Sequence, residues 1–139
     1  MKNISNKNMF FILLIISLFV MFGMIQNPQQ KNDWLAPKSA DTLKNPLVNN
    51  YNATMQGKIL FEKKCVSCHG DKGKGDGVAG IALNPHPHDL TSAMVQKQTD
   101  GALFWKITYG KSPMATYQVI LTNDQRWHLV NYMRQLGKQ

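Results

Sequence analysis

Cysteine is scarce in this chain: two residues of 139, Cys65 and Cys68. There is no second C-x-x-C, so a zinc site with paired thiolates at both ends lacks half its ligands. No cysteine is left over for lipidation near the N-terminus. A thioredoxin-like use of C-x-x-C needs a βαβ context, and β signals are few. The chain shows no internal repeat and no low-complexity tract. Basic residues do not alternate with aromatics, which removes the usual pattern for nucleic-acid binding. Acid is short too: 8 Asp and Glu stand against 16 Lys and Arg, for a formal net charge of +8.

What is present is concentrated around those two cysteines. Cys65-Val66-Ser67-Cys68-His69 reads C-x-x-C-H, the attachment signature of a c-type haem. Two thiols three positions apart can each join one vinyl group on a haem edge. His69 then falls under the iron, and an imidazole nitrogen is a good iron ligand. A structural disulfide between the cysteines would leave His69 without a role.

The N-terminal part is of a different kind. Residues 1–8 are short and polar, with Lys2 and Lys7. Residues 9–25 (MFFILLIISLFVMFGMI) are apolar except for Ser17 and Gly23. A signal h-region is about 7–15 residues long and ends in small residues; this run has 17 and ends Phe22-Gly23-Met24-Ile25. As a helix it reaches about 25 Å, a little less than the roughly 30 Å of a hydrocarbon core. Thinning or snorkelling can cover the difference. The expectation is an uncleaved transmembrane anchor, with a cleaved signal as the alternative. Lys2, Lys7 and the free amine place the N-terminus in the cytoplasm. The remainder then lies on the outer side, where bacteria attach haem to cysteine. Without Lys2 and Lys7 the formal +8 becomes +6.

Residues 26–52 are rich in Asn, Gln, Lys and Pro and read as a tether. Trp34, Leu35, Leu43, Leu47 and Val48 point to part of it lying against the domain. Helical patterns follow. Residues 53–64 place Met55, Ile59 and Leu60 on the apolar side, with Val66 beyond them continuing it. Gly57 costs roughly 1 kcal/mol there against alanine, which implies a packing reason. Residues 70–80 hold five of the ten glycines and must be a loop. Their Gly-x-Gly-x-Gly has no preceding strand, so it is not a dinucleotide loop. Asn84-Pro85-His86-Pro87-His88 is a second irregular turn. Residues 100–109 form a helix with Leu103, Phe104 and Ile107 on one face, ended by Gly110. Thr122 and Gln125 make a capping box. Leu129, Tyr132, Met133 and Leu136 then follow helical spacing to Gly137.

The sixth iron position has several candidates, Met114, Met94, Met55, Met133, His86, His88 and His128, or it is an open site. Met55 and Met133 sit on apolar helical faces, where methionine is usually packing. His128 lies between Trp127 and Leu129 on the last helix. His86 and His88 lie in the proline turn after the motif. Met114 lies 45 residues beyond His69, in a proline-containing loop between two helices. It is the first choice, with Met94 next. Histidine with methionine is a known haem ligation that raises the potential.

With these residues in place, the stretch from Thr54 to Leu136 resembles a class I (mitochondrial-type) cytochrome c. The resemblance rests on Gly57-x-x-x-Phe61, Cys65 to Gly70, the glycine loop, Pro87-x-x-Leu90, Asp100-Gly101-x-x-Phe104, Met114 and Trp127-x-x-Val130-x-Tyr132. It implies a mostly α fold, about three to five helices around one covalently bound haem, preceded by the N-terminal transmembrane or signal segment. It implies close crossing of the first and last helices at Gly57, with Phe61 and Tyr132 packed there. It also implies that the Pro87 carbonyl accepts the N–H of His69, with Pro85 the alternative. One departure is that Pro113 precedes Met114, whereas the family often places proline after the methionine. Short segments around Trp34-Leu35-Ala36-Pro37, Asn45-Pro46-Leu47 and residues 100–106 are similar to Bacteroidetes-type respiratory monohaem cytochromes, including those of alternative complex III and of nitrous oxide reduction. The expected layout is a cytoplasmic 1–8, an anchor or signal 9–25, a tether 26–52 and a cytochrome c domain 53–139.

The function this implies is one-electron transfer in a bacterial respiratory chain, at the outer face of the cytoplasmic membrane. The cofactor is one c-type haem on Cys65 and Cys68, with His69 and Met114 as axial ligands. The alternatives are a fixed subunit of a larger quinol-oxidising or oxide-of-nitrogen-reducing complex, a haem peroxidase and a gas sensor. Expected partners are redox proteins and the membrane, without nucleic acid or a small-molecule substrate. Lys58, Lys63, Lys64, Lys72, Lys74, Lys106 and Lys111 are candidates for steering acidic partners.

Overall fold

The structure is a computed structural model and describes residues 34–138. Residues 1–33, which include the 9–25 run and the first part of the tether, lie outside the described residues. What is described belongs to one compact unit. It contains a 3-10 helix, Lys38–Thr42, and five α-helices: α1 Tyr51–Lys64, α2 Val66–His69, α3 Ala93–Gln96, α4 Asp100–Tyr109 and α5 Asn123–Leu136. Among the described residues there is no strand, only an isolated bridge between Lys111 and Met114. No described helix is long and apolar enough to cross a membrane.

Helix α1 starts two residues before the sequence pattern suggests. Asn50 is the reason: its side chain caps the helix by accepting from the Ala53 N–H at 2.9 Å. The principal packing is α1 against α5. Gly57 makes it possible, because a Cβ at this position would lie 1.9 Å from the His128 carbonyl oxygen. Beside that contact the Phe61 and Tyr132 rings meet with centroids 5.3 Å apart at 59°.

The buried face of α1 is therefore Ala53, Gly57 and Phe61, not the Met55 and Ile59 side that hydrophobicity marks. Met55 is 38% exposed and Ile59 39%. Small residues win the interface because they let two backbones approach. Of the other residues assigned to the apolar side, Leu60 and Val66 are half-buried and pack against the core.

Helix α5 starts as its sequence predicts. Gln125 N–H donates to Thr122 Oγ1 at 3.2 Å, and Thr122 N–H donates to Gln125 Oε1 at 2.9 Å. Leu129, Val130, Tyr132, Met133 and Leu136 are all buried. Each large apolar side chain buried this fully contributes about 1.5–3 kcal/mol. Helix α4 contributes Leu103 and Ile107 to the same core, and its Phe104 stacks on Trp127 with centroids 4.1 Å apart.

Residues 34–50 are fastened to α4 and α5. Asn45 Nδ2 donates to Asp100 Oδ2 (2.9 Å) and to Asn131 Oδ1 (2.8 Å), while Asn131 Nδ2 donates to the Leu47 carbonyl (2.6 Å). Asp100 is also bridged by Arg134 Nε at 2.7 Å. Trp34 lies against Trp105, Ala40 is buried, and Leu47 packs on the core. Leu35, Leu43 and Val48 remain exposed. Two helices, α2 and α3, have only four residues each.

Candidate haem-attachment site

Cys65 ends α1, and its N–H donates to the Phe61 carbonyl at 2.8 Å. The chain then re-enters a helix at once. His69 N–H donates to the Cys65 carbonyl at 2.8 Å, and Gly70 N–H to that of Val66 at 2.8 Å. This single turn of α2 brings Cys65 and Cys68 to one side, since residues three apart are neighbours on a helix. Both thiols are free and half-buried. Burial, reinforced by Cys68, pushes the Cys65 thiol up to about 12.

The glycine loop holds α2 from outside. Ala79 N–H donates to the Ser67 carbonyl at 2.8 Å, and Gly75 N–H to the His69 carbonyl at 2.9 Å. Gly77 presses on the same turn; a Cβ there would lie 2.5 Å from the carbonyl oxygens of both Val66 and Ser67. The motif is thus fixed by backbone contacts on one side and faces the core on the other.

His69 lies beside Phe61, with ring centroids 6.5 Å apart. Burial lowers its pKa; the His88 backbone beside the ring opposes that shift, and the His88 imidazole adds to it. The shift disfavours the imidazolium relative to the neutral ring, the form that binds a metal. Its Nδ1 is buried and makes no hydrogen bond of good geometry. The expected bond from His69 to the Pro87 carbonyl is not formed in this arrangement. That carbonyl lies 3.0 Å from His86 Nδ1 instead.

Met114 is half-buried in the loop after α4. Its N–H donates to the Lys111 carbonyl at 2.8 Å, closing a tight turn behind Gly110. Thr116 Oγ1 donates to the Thr108 carbonyl (2.7 Å), and Tyr117 N–H to that of Ile107 (3.2 Å). These bonds fasten the loop to the end of α4. From its other side the Tyr117 hydroxyl donates to the Lys64 carbonyl, 3.0 Å away, one residue before Cys65. The loop carrying Met114 is thereby brought to the attachment motif. Sequence reasoning passed over Tyr117, because nothing in an isolated tyrosine announces a backbone carbonyl as its partner.

The remaining candidates are dispersed. Met94 is half-buried on α3, where its carbonyl accepts from Gln98 Nε2 at 3.1 Å. Met133 is buried in the core, Met55 sits at the surface of α1, and His128 is half-buried on α5. A cleft of about 440 Å³ between α1 and α5 includes Tyr51, Met55 and Tyr132 but no motif residue.

The residues present fit a covalently held haem. Two thiols share one helical turn with a half-buried imidazole whose Nδ1 is buried without a well-formed hydrogen bond. Cys65 packs against the hydrophobic core, as do the half-buried Leu60, Val66, Phe104 and Tyr117. Among the described residues no group of three or more His, Cys, Asp or Glu is placed to hold a bare metal ion. His69 suits iron that arrives with its other ligands already in a macrocycle. Cys65 and Cys68 would hold that group, and His69 would bind its iron.

Fold and motif together define a small helical haem-carrying domain. The family model for cytochrome c matches residues 54–137. The chain belongs to the cytochrome c family, which implies a covalent c-type haem and electron transfer. A search of the curated proteins found no match. Among solved structures the chain is similar to one from the reducing HAO-like protein complex of Kuenenia stuttgartiensis, with a TM-score of 0.60 and 22% identity. That match covers 96% of this chain and 61% of the other, so this chain spans less than two thirds of its neighbour. At this identity the likeness is one of fold.

Proposed function

We propose that the chain is a one-electron carrier of a bacterial respiratory chain, with its haem domain on the periplasmic side of the cytoplasmic membrane and residues 9–25 as its anchor. The observation that carries the electron-transfer reading is the tight helical turn that sets Cys65 and Cys68 beside the half-buried His69. When bound, the haem supplies an iron that cycles between Fe(III) and Fe(II). His69 and Met114 would be the residues that hold its iron, with Met94 the next candidate for the second. The two anchorages of the 110–121 loop support Met114. With both positions filled, no coordination site remains for a substrate, so the protein acts as a carrier and not as an enzyme. The one C-x-x-C-H supports a single haem.

Redox proteins are the partners this reading implies. Of the lysines considered for steering, Lys63, Lys64, Lys72 and Lys111 are exposed. Lys58 pairs with Glu62 at 3.8 Å and Lys74 with Asp89 at 3.4 Å. Lys106 is turned inward: it is buried, donates to Gln98 Oε1 at 2.6 Å and lies 5.4 Å from the Trp34 ring centroid. It contributes packing, not steering. A second reading, a fixed subunit of a larger redox assembly, draws support from the structural neighbour, which is longer and belongs to a protein complex.

The ligand assignment is tested on the oxidised protein. Methionine ligation gives a low-spin haem with a weak sulfur-to-iron charge-transfer band at the edge of the near infrared. Met114→Ala should lose that band, lower the reduction potential and open the iron to carbon monoxide, while the fold survives. If the wild type already binds carbon monoxide readily, or if Met114→Ala leaves the spectrum unchanged, the sixth ligand is another residue.

A further inference from the structure

Tyr117 occupies an unusual position for a loop tyrosine. Its ring is half-buried and packs on the core, and its hydroxyl reaches across to the last carbonyl of α1 at 3.0 Å. The final carbonyls of a helix have no partner within the helix and must find one elsewhere. Lys64 is the last residue of α1, and Cys65 follows it. Among the described residues this is the only side-chain hydrogen bond from the 110–121 loop to α1. Burial raises the tyrosine pKa. The hydroxyl therefore keeps its proton and remains a donor.

The loop has one anchorage at each end of this short span. On the α4 side, Thr116 Oγ1, Tyr117 N–H and Gln118 N–H bind the carbonyls of Thr108, Ile107 and Thr108 at 2.7, 3.2 and 3.0 Å. On the attachment side, the phenol is the tie. Met114 is three residues before it. Swinging the methionine away from the motif requires the loop to move, and the phenol opposes that movement.

We propose that Tyr117 is a positioning residue for the sixth iron ligand, its hydroxyl latching the Met114 loop to the end of α1 beside the attachment cysteines. This rests on the Met114 assignment above. A ligand that competes with methionine for the iron must first displace it. Loss of the latch makes that displacement easier without removing either axial ligand.

The test uses the full-length oxidised holoprotein and imidazole as the competing ligand. Tyr117→Phe keeps the ring and removes only the hydroxyl. It should raise imidazole affinity about five-fold, equivalent to about 1 kcal/mol at 1.4 kcal/mol per factor of ten. The charge-transfer band should still be present without imidazole. The same substitution made in Met114→Ala should leave imidazole affinity unchanged, because no methionine remains to be held. A merely structural tyrosine would lower the melting temperature in both backgrounds and shift affinity in neither. Equal imidazole affinity in wild type and Tyr117→Phe overturns the latch while leaving the methionine assignment standing. A wild-type spectrum that Met114→Ala does not alter overturns the methionine assignment, and the latch with it.

Discussion

At the scale of single residues, the C-x-x-C-H pattern reads as a haem-attachment signature, and the cytochrome c family match over residues 54–137 fits it. Cys65, Cys68 and His69 announce themselves by spacing alone, because the chemistry of two vinyl groups and one iron dictates that spacing. The surroundings of His69 were less legible. The Pro87 carbonyl was expected at its N–H, yet it lies against His86, and the His88 backbone is what stands beside the His69 ring. Carbonyl positions in a proline turn depend on backbone angles that residue identity does not reveal.

Asp89 is another residue whose role appears only in three dimensions. Burial alone would raise its pKa, but hydrogen bonds from the Thr91 hydroxyl and N–H, with the Lys74 charge, lower it below 3.8. The Thr91 bonds are 2.6 and 2.8 Å long. A carboxylate with a lowered folded pKa stabilises above its unfolded pKa, and that stability is lost as pH falls through the folded value. Asp89→Asn should therefore melt at a lower temperature than wild type at pH 7, by an amount on the order of 0.5 kcal/mol because the pair is partly exposed. The gap should close as the pH is taken below the ordinary carboxylate range. A gap that persists at acid pH would show that charge at Asp89 contributes nothing.

At the scale of elements, α4 and α5 could be read from periodicity and caps, and both ends of α5 matched. Two features were hidden. Helices α2 and α3 have four residues each, too few for a 3.6-residue period to show. Periodicity alone pointed α1 toward Met55 and Ile59, while close backbone approach buries Ala53, Gly57 and Phe61; the family resemblance, not the hydrophobic pattern, placed Gly57 and Phe61 at that crossing. Gly57→Ala tests that approach and has an informative sign. In an isolated helix alanine is better than glycine by roughly 1 kcal/mol. Here its Cβ would meet the His128 carbonyl, so the holoprotein should lose about 1–3 kcal/mol in denaturant unfolding. An increase in stability would mean that α1 and α5 do not depend on contact at this point.

At the scale of the whole molecule, the boundary between tether and domain was the least legible feature. Proline and asparagine content marks residues 26–52 as a linker. Trp34 against Trp105 and Leu47 on the core bear out the apolar residues that pointed to contact with the domain, while the ties of Asn45 to Asp100 and Asn131 were not foreseen. Polar side chains tied to buried polar partners look, in sequence, like a solvated loop. The run 9–25 should keep the cytochrome in the membrane pellet after high-salt washing, with Met1 or Lys2 at the mature N-terminus. A soluble periplasmic form starting near Gln26 or Asn27 would identify a cleaved signal instead.

The central claim, that this domain carries haem through Cys65 and Cys68, is tested most directly by acid–acetone extraction of the denatured purified protein. The wild type should retain its haem on the polypeptide, and the Cys65→Ala, Cys68→Ala double variant should release it or fail to load it. Free extraction of haem from the wild type would contradict the account.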